Sequence, residues 1–106
     1  MRRKLSVPKL TTSKLFVKDV EALRSNTVLI RRIAKTLALL EENPLHPGLH
    51  IERIINDPTA WSVRLDKRYR VSLEPELYYK GGNPHWSGGI LLLRILDHDD
   101  LYKHPR

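Results

Sequence analysis

Apolar residues recur three and four positions apart in the first half of the chain, which is the spacing of amphipathic helices. This spacing predicts a first helix over about 12–24 and a second over about 27–42. Pro44 should end the second helix, because the residue before a proline disfavours helical geometry. The break between the helices is short, so we expect an antiparallel helical hairpin. Its apolar stripes are formed by Phe16, Val20, Leu23, Ile30, Ile33, Leu37 and Leu40.

The spacing of apolar residues shortens to two after Gly48, which is typical of half-buried strands. Residues 90–96 are almost all apolar, as expected for the central strand of a sheet that is covered on both faces. We expect Leu91, Leu93 and Ile95 to face the helices. The predicted strands span 5–10, 49–55, 61–65, 69–74 and 90–96, with a turn at 56–59, a long glycine-rich connection at 76–89 and a helical turn or tail at 98–102.

Two helices followed by successive strands is the element order of an α+β protein. A chain of 106 residues suits one compact domain, so we assign 1–106 to a single domain. The pattern therefore predicts an N-terminal helical hairpin packed on a small sheet.

The two strands on either side of Asp66 predict their own register. If their apolar residues share the core face, the loop between them must contain an odd number of residues. A three-residue loop over 66–68 sets Arg64 directly opposite Arg70. Opposed arginines repel each other, so an anion bound between them would account for the arrangement. Alternatively, both side chains reach into water, or a carboxylate such as Glu52 lies between them.

Basic residues outnumber acidic residues by 19 to 12, which gives a formal net charge of +7. The surplus is concentrated in the first 40 residues, which contain ten basic and two acidic side chains. Such a surplus favours an acidic partner, most often nucleic acid. A basic surface that only interacts with water would have the same composition.

The chain contains no cysteine and no apolar run long enough to cross a bilayer. The first absence excludes disulfides, zinc–thiolate sites, iron–sulfur clusters and thiol catalysis. His46, His50 and Glu52 have a spacing that would suit a metal site. However, Pro47 and Gly48 prevent the helix that would set both histidines on one face. We therefore expect a soluble cytoplasmic protein that needs no metal or other cofactor.

Several short motifs occur in a distinctive order along most of the chain. They are ENPLHPGL at 42–49, Glu52, WSVRLD at 61–66, YRV at 69–71 and LDHDDLY at 96–102. In order and spacing they resemble the RelE/ParE-type toxins of bacterial toxin–antitoxin systems. The resemblance implies a small, mostly antiparallel twisted sheet that packs on the helical hairpin.

The resemblance also implies one of two activities. RelE-like toxins are metal-independent endoribonucleases (mRNA interferases) that cleave mRNA on the ribosome and inhibit translation, whereas ParE-like toxins inhibit gyrase. A third alternative is a degenerate homologue that only binds a partner. In each toxin class the implied partner is a cognate antitoxin, and the assembly is a homodimer or a toxin–antitoxin hetero-oligomer.

Four residues match catalytic positions of the nuclease branch. Arg70 matches an arginine that contacts the scissile phosphate, and Arg64 matches a second basic position in the preceding strand. His98 matches a residue that serves as general acid, and Glu52 lies near the position of a general base, for which His50 is an alternative. The structural alternatives are a surface histidine and a salt bridge from Glu52 to an arginine.

Further residues are candidates for RNA binding. The residues concerned are Arg31, Arg32 and Lys35 on the second helix, Lys67 and Arg68 in the hairpin loop, and Tyr102, which could stack on a base. The basic residues of the helix could equally bind an acidic antitoxin segment. Two features depart from the family pattern: the connection at 76–89 is long, and Asp97, Asp99 and Asp100 surround His98.

Overall fold

The helical hairpin is present. A computed structural model describes residues 9–106, in which helix α1 spans Lys14–Ala22 and helix α2 spans Thr27–Glu42. Ser13 and Asn26 cap the two helices, because each side chain accepts a 3.0 Å hydrogen bond from the backbone N–H three residues later. The bounds of α2 agree with the prediction. Helix α1 is shorter than predicted at both ends, because Thr12 joins the sheet and residues 23–25 form a turn.

One sheet of five strands lies against the hairpin. The strands are Leu10–Thr12 (β1), Glu52–Ile54 (β2), Asp57–Arg64 (β3), Tyr69–Pro75 (β4) and Ile90–Asp97 (β5), and helix α3 follows at His98–Lys103. Their order is β1-β5-β4-β3-β2; β1 is parallel to β5, and every other pair is antiparallel. The protein is therefore an α+β fold with a mostly antiparallel sheet, as predicted. Strand β5 is not an edge strand, but β4 rather than β5 is the middle strand of the five. Of the predicted strand at 5–10, residues 5–8 lie outside the described residues.

Two predicted boundaries near the turn between β2 and β3 are wrong. Pro47–Leu49 form a 3₁₀ turn and His50 adopts a left-handed conformation with φ of 47°, so the chain becomes extended only after the predicted start at 49. Strand β3 begins inside the predicted turn at 56–59. Pro58 is tolerated there, because the pairing of β3 with β4 begins only at Trp61 and no ladder hydrogen bond from residue 58 is needed.

A β-bulge in β5 changes which of its side chains face the helices. The register with β4 shifts at this point and leaves Leu93 without a direct partner. Leu92 and Ile95 therefore both pack with α1 and α2, whereas Leu91 and Leu93 pack on the opposite side of the sheet. The prediction for Ile95 is confirmed, and the predictions for Leu91 and Leu93 are wrong.

The sheet has a core on each face. We call the side covered by α1 and α2 the hairpin face, and the side on which α3 packs the α3 face. The larger core, on the hairpin face, contains Phe16, Leu29, Ile33, Leu40, Leu49, Val63, Leu65, Val71, Leu73, Ile90, Leu92 and Ile95. The smaller core, on the α3 face, contains Ile54, Ala60, Leu93 and Leu101. Across residues 9–106, no helix combines the length and apolarity that a bilayer span requires.

The glycine-rich connection at 76–89 folds back on itself. Tyr78 pairs with Pro84 in an isolated antiparallel bridge, and the Glu76 N–H donates to the Gly89 carbonyl at 2.9 Å. Trp86 then packs edge-on against Trp61, with 5.3 Å between ring centroids. The connection is therefore an irregular hairpin that one aromatic contact fixes to the main core.

Candidate active site

Two arginines lie opposite each other next to the loop between β3 and β4. The register confirms the prediction that Arg64 pairs with Arg70. The Asp66 carboxylate fixes the loop by accepting hydrogen bonds from the N–H groups of Arg68 and Tyr69, at 2.8 and 2.7 Å. The loop therefore holds two guanidinium groups on the α3 face, where they concentrate positive charge.

Different partners hold the two guanidinium groups, which limits their repulsion. Arg70 Nη1 donates to Ser62 Oγ at 3.3 Å and forms an ion pair with Glu52 Oε1 at 3.4 Å. Arg64 Nε donates to the Asp66 carbonyl at 3.4 Å. Only 15% of the Arg70 side chain is exposed, so its orientation is well defined by these neighbours.

His98 is placed beside the arginines by the end of β5. Its backbone N–H donates to the Arg68 carbonyl at 2.8 Å, which fixes the start of α3 against the hairpin loop. Its ring stacks on Tyr102, with 4.7 Å between centroids, and its Nδ1 lies 3.4 Å from Asp99 Oδ1. About half of the side chain is exposed. The imidazole is therefore oriented by a neighbouring ring and is still accessible to a ligand.

One open cleft contains the basic residues at the centre of this arrangement. Its walls are formed by Arg64, Asp66, Lys67, Arg68, Arg70, Asp97, His98 and Asp99. The cleft therefore brings together three of the four predicted catalytic residues with both basic residues of the loop. Arg68 is paired across the cleft with Asp97 at 3.0 Å, so its charge is partly compensated.

Glu52 lies behind Arg70 and does not line this cleft. Its Oε1 accepts a 2.6 Å hydrogen bond from the Tyr102 hydroxyl in addition to the ion pair with Arg70. The structure thus has the salt bridge that the sequence left open as an alternative for Glu52. About half of the Glu52 side chain is exposed, and its ion-pair partner Arg70 forms part of the cleft wall.

Tyr102 is engaged on one face of its ring and at its hydroxyl group. One face of its ring is covered by His98, and its hydroxyl binds both Glu52 and Ser62, the latter at 3.3 Å. Because the hydroxyl donates to Glu52, the Ser62 hydroxyl donates to the tyrosine oxygen. Ser62 is fully buried, and the sequence pattern alone does not mark it as a site residue. Its position opposite Ser72 and next to the paired arginines was the available signal.

The pKa of Tyr102 is raised above its ordinary value of 10.0, first by burial and then by the hydrogen bond to Glu52. The neutral phenol is thus favoured in the folded state, and the resulting stabilisation is complete below the unfolded pKa and is lost as the pH rises through the folded pKa. We expect Tyr102 to ionise at a higher pH than an ordinary tyrosine side chain does. A pH titration of tyrosinate absorbance in the wild-type protein, minus the same titration of Tyr102→Phe, isolates the ionisation of Tyr102. If Tyr102 ionised with its ordinary pKa of 10.0, and if Glu52→Ala left that pKa unchanged, the hydrogen bond to Glu52 would be contradicted.

A second groove continues from the cleft towards α2. Arg32, Gly48, His50, Arg64, Leu65, Asp66, Lys67 and Arg68 line it, and Arg64 thus belongs to both. Farther along α2, Val28, Arg31, Arg32 and Lys35 surround a shallow depression. The predicted RNA-binding residues, other than Tyr102, therefore lie along one basic strip from α2 to the cleft.

One of the two histidines that suggested a metal site stabilises the turn that contains it. His46 Nδ1 accepts a 2.9 Å hydrogen bond from the Gly48 N–H, which stabilises the 3₁₀ turn. Within the part of the chain that the structure describes, no three His, Asp or Glu side chains are grouped as metal ligands would be.

Sequence comparisons find no matching family model and no matching curated protein. Solved structures do match. The YoeB/ParE toxin from Agrobacterium tumefaciens has 15% identity and a TM-score of 0.64, and the match covers 85% of this chain and 98% of that one. YafQ from E. coli strain BL21(DE3) has 14% identity and a TM-score of 0.66, with coverages of 89% and 97%. A chain of the E. coli DinJ-YafQ toxin–antitoxin complex matches with 13% identity, a TM-score of 0.66 and coverages of 89% and 96%. The protein therefore has the fold of the RelE/ParE-type toxin superfamily.

Proposed function

We propose that the protein is the toxin of a toxin–antitoxin module and acts as a metal-independent endoribonuclease on ribosome-bound mRNA. The observation that carries this proposal is the meeting of Arg64, Arg70 and His98 in one open cleft, with Glu52 adjacent. Two cations and a titratable imidazole around a solvent-filled space are what phosphodiester cleavage needs. The similarity in fold to YoeB and YafQ toxins supports the same class of function.

The arginines would bind the scissile phosphate. A planar guanidinium binds two phosphate oxygens at once and stays charged throughout the reaction. A phosphate between Arg64 and Arg70 would also remove the repulsion between them. Arg70 would exchange its contact with the Glu52 carboxylate for the phosphate, so substrate binding would release Glu52 from the ion pair.

Glu52 and His98 would then transfer the protons. The ribose 2′-oxygen attacks phosphorus while its proton passes to the Glu52 carboxylate, which Tyr102 still holds. The bond from phosphorus to the 5′-oxygen breaks, and His98 donates a proton to the leaving oxygen. The products are a 2′,3′-cyclic phosphate and a free 5′-hydroxyl. No metal ion is required for any of these steps.

Flanking nucleotides would follow the basic strip. Lys67 and Arg68 line the cleft itself, and Arg31, Arg32 and Lys35 lie farther along on α2. Contacts of this kind bind phosphates without selecting a sequence. The α2 end of the strip is also suited to an acidic segment of a cognate antitoxin. The DinJ-YafQ complex, in which a toxin of this fold is bound to an antitoxin, supports such a partner and hence a hetero-oligomer.

A ParE-like inhibitor of gyrase is the second candidate, and one observation favours it. Three acidic residues, Asp66, Asp97 and Asp99, line the same cleft as the arginines. Their charges oppose the approach of RNA, and Arg68 is already paired with one of them. In this alternative the cleft is a protein-binding surface and no bond is cleaved.

Induced expression in a bacterial host distinguishes these candidates. We expect growth to stop while translated mRNAs acquire new 5′-hydroxyl ends and gyrase remains free of trapped DNA. His98→Ala should slow cleavage yet still bind the cognate antitoxin, which co-purification measures. Growth arrest with intact mRNA and accumulated gyrase–DNA complexes would support the ParE-like alternative instead.

A further inference from the structure

The residues that follow α3 cross the α3 face of the sheet and are attached at its far end. The buried Ser72 hydroxyl donates to the Pro105 carbonyl. Arg106 Nε donates to Asp57 Oδ2 at 2.6 Å, and Nη2 donates to Asp57 Oδ1 at 3.0 Å and lies 3.1 Å from Glu74 Oε2. A further hydrogen bond joins Arg106 to the Thr59 hydroxyl. One guanidinium thus links the start of β3 to the end of β4.

This anchor differs from an isolated surface ion pair, although 42% of the Arg106 side chain is exposed. The Asp57 and Glu74 side chains are only 16% and 24% exposed, so water screens the contacts less than at an open surface. The bidentate geometry fixes the guanidinium in one orientation. The same contacts lower the pKa of the Asp57 carboxyl. Loss of Arg106 would leave two carboxylates close together without a counter-charge.

The anchor lies at the opposite end of the sheet from the hairpin loop. The segment from His98 to Arg106 is therefore held at both ends, by the His98 N–H on the Arg68 carbonyl and by the Arg106 side chain. Tyr102 lies between these points, with its hydroxyl on Glu52 and its ring against His98. A six-residue helix has little stability of its own, so its position depends on such contacts.

We infer that Arg106 is a positioning residue for the candidate active site, holding α3 so that Tyr102 reaches Glu52 and His98 stacks on Tyr102. Arg106 touches none of the four predicted catalytic residues in the described contacts and acts through the segment that it anchors. The catalytic part of this inference rests on the proposed function. The effect of Arg106 on the placement of His98 and Tyr102 is independent of the proposed function and is measured separately.

The test compares Arg106→Ala with Arg24→Ala, which removes an exposed arginine at the turn after α1. Stacking on Tyr102 should shift the His98 ring protons upfield in the NMR spectrum of the whole protein. We expect Arg106→Ala to lose most of that shift and to lower kcat for mRNA cleavage roughly tenfold at unchanged KM, since small misplacements of catalytic groups are costly. Arg106→Lys should restore part of both effects, and Arg24→Ala should change neither.

Glu74→Gln keeps the Asp57 contact and provides a milder variant if Arg106→Ala does not fold. It should give smaller changes in the same direction. Unaltered His98 shifts in the folded variants would overturn the inference, as would altered shifts with unaltered kcat. If the wild-type protein cleaves no RNA, the proposed function fails, and the NMR comparison alone decides whether Arg106 positions α3.

Discussion

Replacing Arg70 by alanine is expected to lower the rate of mRNA cleavage on ribosomes at least tenfold, about 1.4 kcal/mol of transition-state stabilisation. The side chain is largely buried, and Ser62 and Glu52 orient it before any substrate binds. A preorganised cation of this kind stabilises the negative charge that develops on the phosphate. Single-turnover cleavage by purified protein on programmed ribosomes measures the effect.

Two controls distinguish the effect of losing the Arg70 guanidinium group from the effects of losing a positive charge and of perturbing the fold. Arg70→Lys keeps the charge but loses the two-pronged contact with phosphate, so its rate should lie between those of wild type and Arg70→Ala. Arg24→Ala removes one exposed positive charge outside the cleft and should cleave as wild type does. Equal rates for wild type and Arg70→Ala would exclude this residue from the chemistry.

A large loss of stability is expected from Leu92→Ala. Leu92 is fully buried in the core of the hairpin face, and truncation there leaves a cavity between the sheet and the helices. Such substitutions cost about 2–5 kcal/mol in the free energy of unfolding. Urea denaturation of the wild-type and variant proteins measures the difference.

The neighbouring Leu91→Ala is the matched control. Leu91 is only partly buried and contributes to the smaller core of the α3 face, so its loss should cost about 1 kcal/mol. The alternation predicted from sequence gives the reverse order, with Leu91 facing the helices. A larger loss for Leu91→Ala than for Leu92→Ala would therefore contradict the bulge in β5.

Features that depend on neighbouring residues in sequence could be predicted. The bounds of α2 follow from its apolar stripe and from Pro44, which lies directly beyond its end. The opposition of Arg64 and Arg70 follows from the parity of a short loop between two alternating strands. The resemblance to a known family then gave the candidate roles of Arg70 and His98, and the fold agrees with that family.

Features that depend on contacts between distant segments could not be predicted. The bulge at Leu93 reverses the faces of β5, and a run of apolar residues contains no sign of it. Ser62 and Arg106 look like ordinary strand and tail residues until Tyr102 and Asp57 are brought to them. The proximity of Glu52 to Arg70 likewise depends on the pairing of β2 with β3.

The proposed reaction in this cleft is cleavage of RNA by attack of the ribose 2′-hydroxyl. The most direct test uses purified protein, programmed ribosomes and two mRNAs that differ only in a single 2′-deoxy nucleotide at the site cut in the unmodified mRNA. We expect the all-ribose mRNA to be cut to a 2′,3′-cyclic phosphate and a 5′-hydroxyl, whereas the deoxy-substituted mRNA should stay intact at that bond. Cleavage of both, or an intact all-ribose mRNA, would contradict the proposed reaction.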